Sequence, residues 1–164
     1  MENRKSNFGS VIFITIIGAI GLIILFNQAL QEKDYNSFLN YLDNKSYIDI
    51  TTPQGTIKAE VSTSSSALEL GLGERTGLGE DKGMLFVFPN EDKQGFWMKD
   101  MRFALDIIWL DKNKKVVTIL KGLTPSTYPN IYFPISNSKY VLEINAFASE
   151  KYRIATGTTL TFTQ

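Results

Sequence analysis

Five residues combine a reactive or ligand-binding side chain with a position where such a side chain is out of place: Trp97, Lys99, Asp106, Glu143 and Asn145. Each lies in or beside an otherwise apolar segment that alternates with a period of two. On a strand, that alternation puts Trp97 with Lys99 on one face. It puts Asp106 with Ile108 and Leu110, and Glu143 with Val141 and Asn145. A carboxylate among such neighbours is costly unless it is paired and hydrogen-bonded. Two uses follow. The polar residues could form a shallow pocket floored by Trp97 that holds a polar ligand. Alternatively, Lys99, Asp106 and Glu143 satisfy one another, or nearby backbone, inside the fold. The second use is favoured, because structural ion pairs produce the same pattern and no histidine or cysteine stands beside these residues.

Most catalytic machinery is excluded by composition. The chain has no cysteine and no histidine. A Ser-His-Asp triad, a Cys-His pair, a thiolate metal site and a histidine-ligated zinc are therefore impossible. The remaining carboxylate chemistry would be a hydrolase acting on an envelope glycan, with Asp106 and Glu143 flanking the bond about 5–10 Å apart. Glu80-Asp81 and Glu91-Asp92 are adjacent acidic pairs suited only to hard cations. Neither has the spacing of a calcium loop, so they are read as solvated turn residues. A serine of the Ser64–Ser66 run acting with Lys99 carries little weight. No metal and no cofactor are expected.

A second surface is suggested by Tyr128, Ile131, Tyr132 and Phe133 in a proline-rich stretch, with Trp109 nearby. Aromatic faces suit sugar rings, but a long loop also needs apolar side chains to pin it to a sheet, and that reading is preferred. Charge offers no further handle. The chain holds 17 basic and 17 acidic residues, and the first 45 hold four of each, so the balance persists from Ser46 onward. A domain without excess positive charge lacks the electrostatic footprint of a nucleic-acid binder, and no nucleic-acid partner is expected.

The elements that must position these residues begin with a membrane segment. Phe8 to Phe26 carries no charged side chain. As a helix it would extend about 28 Å, close to the hydrocarbon thickness of a bilayer. Arg4 and Lys5 precede it, so the positive-inside bias puts residues 1–7 in the cytoplasm and the remainder outside. An uncleaved anchor over 8–26 is preferred to a cleaved signal peptide, because the apolar run is long and Asn27-Gln28-Ala29 is a poor cleavage site. Cleavage would leave a secreted or periplasmic domain. Residues 27–45 form a polar linker.

From 46 to 164 period-2 patterning dominates. Strands are expected around Ile57–Val61, Met84–Phe88, Gly95–Met98, Leu105–Leu110, Val116–Leu120, Tyr140–Ala146 and Thr159–Phe162. Leu105–Leu110 and Val116–Leu120 read as a hairpin. Short helices are expected near Ser65–Leu70 and Ala146–Arg153, and the glycine-rich stretch from Leu70 to Gly83 reads as a loop. The fold class is mainly β (α+β): a compact antiparallel barrel-like or sandwiched sheet with one or two short helices, behind an N-terminal transmembrane helix.

Four blocks in this order carry a resemblance: Gly83-Met84-Leu85-Phe86-Val87-Phe88, Phe96-Trp97-Met98-Lys99, Leu105-Asp106-Ile107-Ile108 and Val141-Leu142-Glu143-Ile144-Asn145-Ala146. With Gly71-Leu72 and Arg75 upstream, the chain from Ile57 to Phe162 resembles the DUF192 (UPF0127) family. That resemblance implies a compact, mostly β domain, often behind a signal sequence or anchor, and no established reaction. Three departures from the family pattern stand out. Gly73 stands in place of methionine, Asp100-Met101 in place of Asn-Thr, and Phe147 in place of a common glycine.

The expectation is a single-pass membrane protein at the cell envelope, with an extracytoplasmic binding or accessory module and an envelope glycan or protein as partner.

Overall fold

The computed structural model describes residues 47–63 and 69–163. The anchor expected over 8–26, the linker and Ser64–Ser66 lie outside the described residues. Among the described residues no helix is long and apolar enough to cross a membrane.

Six strands form one sheet: β1 (Tyr47–Thr52), β2 (Gly55–Ser62), β3 (Lys82–Asp92), β4 (Leu105–Leu110), β5 (Val116–Leu123) and β6 (Ser138–Asn145). Their order is β1-β2-β3-β6-β4-β5. The expected antiparallel barrel-like or sandwiched arrangement is not what forms: there is one open, mixed sheet among the described residues, because β2 and β3 run parallel. The connection from Ser62 to Lys82 is long enough for the crossover that a parallel pair requires, and its glycines disguise it as a plain loop. Of the first expected helix only Glu69 and Leu70 are described, and both are helical. The second is the short α1 (Ala148–Lys151).

Two expected strands are not strands. Gly95–Met98 makes a single bridge, Phe96 to Tyr132, and Thr159–Phe162 makes isolated bridges to Thr51 and Lys115. The alternation in Gly95–Met98 is nevertheless real. Phe96 and Met98 are buried while Trp97 and Lys99 are exposed. It reports a segment lying across a sheet face, with no ladder beside it.

Both faces of the sheet are covered, which is why β4 is buried at all six positions. On one face Ile57, Leu85, Ile108, Leu142 and Ile144 pack with Tyr152, Ile154, Leu160 and Phe162 of the C-terminal segment. On the other, Met84, Phe86, Ile107, Trp109 and Val141 pack with Leu72, Phe96 and Met98. Trp109 is therefore core, not a member of the aromatic surface, and its indole N–H donates to the Gln94 carbonyl at 2.8 Å.

Candidate functional site

The register separates the two carboxyls. Asp106 of β4 pairs with Ile144 of β6, and Ile107 pairs with Glu143. Residues directly opposite share a face, so Asp106 looks toward the C-terminal segment and Glu143 toward Phe86 and Phe96. They cannot flank one glycosidic bond, and they cannot join Lys99 in one network. Lys99 forms no salt bridge with either. This geometry overturns the mutual network and the carboxylate-pair hydrolase, while the alternative of satisfaction by nearby backbone holds for Asp106.

Asp106 is fully buried and is held by backbone alone. Its Oδ1 accepts the N–H groups of Gly122 at 2.9 Å and Phe147 at 2.8 Å, and Oδ2 accepts that of Ser149 at 3.0 Å. The cause is a bulge. Leu105 pairs with Leu123 but Ile107 pairs with Leu120, so Lys121 and Gly122 together oppose Asp106 and the ladder is interrupted. The carboxyl supplies the missing acceptor and also caps the first turn of α1. Asn145 is structural in the same way, its amide donating to the carbonyls of Leu78 at 3.2 Å and Gly79 at 3.0 Å. The two acidic pairs are likewise engaged, and Glu91-Asp92 ends β3 instead of lying in the expected turn. Asp81 accepts the Tyr152 hydroxyl at 2.6 Å and Lys151 at 2.9 Å, and these partners hold its carboxyl below the usual range. Glu91 accepts the Lys112 N–H at 3.0 Å. Among the described residues no three acidic, histidine or cysteine side chains gather as a metal site.

Glu143 differs from all of these. It is 4% exposed, and its Oε2 has no hydrogen-bond partner. Burial pushes its carboxyl up to about 8, with Arg75 nearby opposing the rise, so at neutral pH it is mainly the neutral acid. Arg75 is itself held by Glu60, its Nη2 lying 3.1 and 3.0 Å from the two carboxyl oxygens. Glu143 lines a cavity of about 210 Å³ together with Trp97 and Lys99 at its rim and Phe86, Phe88 and Phe96 in its wall. Phe86 and Phe96 meet edge to face at 5.0 Å, which fixes that wall.

Gly71 leaves the space beside the carboxyl free of a side chain. It sits at φ +52°, and a Cβ there would stand 3.3 Å from Phe86 and 3.7 Å from Glu143 Oε2. Any side chain would enter the space in front of that oxygen. Three of the five residues singled out from sequence (Trp97, Lys99 and Glu143) thus share one cavity, while Asp106 and Asn145 lie elsewhere. The Phe86 and Phe96 walls and the opening left by Gly71 were not anticipated. Their one advance signal was that Gly71, Phe86 and Phe96 fall in the blocks that carry the family resemblance.

The match of a family model over residues 48–162 shows that this chain belongs to the DUF192 family, described as Uncharacterized ACR. Among solved structures it is similar to a Sinorhizobium meliloti 1021 protein described as a transcription regulator by assignment only. That protein has 26% identity and a TM-score of 0.65 over 71% of this chain and 92% of its own. It is also similar to a protein of unknown function from Novosphingobium aromaticivorans, at 26% identity and a TM-score of 0.64, over 70% of this chain and 83% of that one. No curated protein matches.

Proposed function

We propose that this chain is a membrane-anchored, extracytoplasmic binding module of the cell envelope that takes a small ligand into the cavity beside Glu143. The observation that carries the binding reading is the buried, unpartnered Oε2 of Glu143, a residue that lines an aromatic-walled cavity. Polar groups buried without partners are rare in folded proteins, and an absent ligand is one physical reason for one. Catalysis is not part of the reading: Glu69 also lines the cavity, but the chain has no histidine or cysteine to serve with these carboxyls as base or nucleophile. The anchor rests on the uncharged run from Phe8 to Phe26 with Arg4 and Lys5 before it.

A transcription-regulator role of the kind proposed for the Sinorhizobium protein is a rival, and DNA binding would be its mark. The balanced charge of this domain argues against it, and an intact chain that shifts duplex DNA at physiological salt would overturn the present reading. An envelope protein or glycan is a further partner, for which Ile131, Phe133 and Ile135 offer exposed apolar area on the proline-rich segment. The cavity is tested by screening a fragment library against the full chain in detergent micelles by NMR. Hits should perturb the Trp97 indole and the Phe96 ring together. A screen whose hits map elsewhere, or that yields none, would refute the site.

A further inference from the structure

The chemistry of the cavity restricts its ligand. We infer that the cavity binds a small organic amine in its cationic form, the nitrogen seated against Glu143 and an apolar or aromatic body along Phe86, Phe96 and Trp97. This rests on the reading of the cavity as a ligand site, and goes beyond it by naming the charge and class of the occupant.

Three observations converge on a cation. The polar atom beneath the floor is a buried carboxyl oxygen without a donor, with the bare Cα of Gly71 and no side chain beside it. The wall is built from aromatic rings, with Met101 also lining it, and such surfaces attract an ammonium group through the ring quadrupole. The mouth, where a neighbouring depression is lined by Glu69, Lys99 and Asp100, carries two acids to one base. The cation already near the floor, Arg75, is committed to Glu60 by two short contacts. An anionic ligand would have Lys99 and the Glu60-bound Arg75 in its favour and the carboxylates of Glu69 and Asp100 against it. A neutral acceptor would engage the protonated acid but would leave the acidic mouth unused. The modest volume sets the size, since drug-sized ligands take pockets of roughly 300 Å³ and more.

Binding a cation at a carboxyl that is mainly protonated at neutral pH must expel its proton. Groups facing Glu143 or the mouth are Arg75, Lys99, Glu69 and Asp100, with Glu60 behind Arg75. Burial raises the Glu143 carboxyl to about 8, so the released proton is assigned to it.

The test uses the full chain in micelles and three near-isosteric probes: 2-phenylethylamine, 2-phenylethanol and 3-phenylpropionate. Calorimetry should show saturable binding of the amine only, with close to one proton released at pH 6.5. Affinity should rise about tenfold per pH unit up to pH 8 and level off above it. Glu143→Gln, checked for folding by its NMR spectrum, should weaken the amine at least tenfold, while Lys99→Gln at the rim should strengthen it several-fold. Equal binding of the alcohol or the carboxylate would overturn the cation and leave a small-ligand site standing. So would amine affinity unchanged in Glu143→Gln. Binding of none of the three at millimolar concentration would also overturn the cation, and the fragment screen then decides the cavity separately.

Discussion

Asp106 and Glu143 sit on neighbouring central strands, offset by one register position, and point to opposite faces of the same sheet. That one-residue offset separates a carboxyl that organises backbone from one that faces a cavity. The two should respond to substitution in different ways.

Asp106→Ala removes the acceptor for three backbone N–H groups and leaves them without it inside the fold. Unsatisfied buried donors cost about 1–3 kcal/mol each, so a loss of about 3 kcal/mol or more is expected in urea melts. Lys99→Ala, at an exposed site, should change stability by no more than about 0.5 kcal/mol. The double substitution should equal the sum of the singles. Marked coupling between the two would restore a shared network.

Glu143 should make the domain less stable as pH rises. Its carboxyl is raised from 4.5 to about 8 on folding, so between those values the folded state binds more protons than the unfolded one. The contribution is complete below pH 4.5 and declines as pH rises through 8, by about 3 kcal/mol between pH 4.5 and 7. Denaturant midpoints across pH 5 to 8.5 should therefore fall more steeply for the native sequence than for Glu143→Gln. Parallel pH profiles would place the carboxyl in contact with water.

At Phe147 the usual order of substitutions should reverse. The residue lies at φ 62°, a left-handed conformation, with its ring over Gly122. Glycine is at ease there, whereas a Cβ costs about 1 kcal/mol. Phe147→Gly should be more stable than Phe147→Ala by about that amount in thermal melts, although alanine is ordinarily the milder replacement. Alanine equal to or above glycine would show that the backbone strain is small.

Topology is tested by cell fractionation. The chain should remain with membranes through high-salt and carbonate washes, and protease added outside spheroplasts should degrade the domain from Ser46 onward. Full release of intact-length chain would sink the anchor, and a product starting near Ala29 would show cleavage. Protection of the domain until lysis would invert the orientation.

How much of this was legible in the sequence depended on what periodicity can report. Alternation correctly grouped Glu143 with Val141 and Asp106 with Ile108 and Leu110. It could not say that β6 inserts between β3 and β4, because a period of two gives faces within a strand and says nothing about neighbours. Without that adjacency, two carboxyls on opposite sides of a sheet read as partners. The same blindness made strands of Gly95–Met98 and Thr159–Phe162, whose alternate burial comes from lying over the sheet. The bulge opposite Asp106 was also hidden, since one extra residue leaves a strand pattern almost unchanged. The hairpin of β4 and β5 was readable because its apolar runs flank a short polar turn.

The C-terminal segment has a consequence for how the molecule behaves in a crowd. β1 and β5 are the outermost strands, and a free strand edge is a template for pairing with another copy. The segment reaches both. Thr161 exchanges backbone hydrogen bonds with Thr51 at 2.8 and 3.1 Å, while Val116 donates to Thr158 and accepts from Gly157, each at 2.8 Å. One strip of chain thus occupies backbone positions on both margins of an open sheet, doing with a few bonds part of what closure into a barrel would do. A chain in which this strip is displaced would present two unsatisfied margins at once, and would meet other copies as a candidate for strand exchange and aggregation.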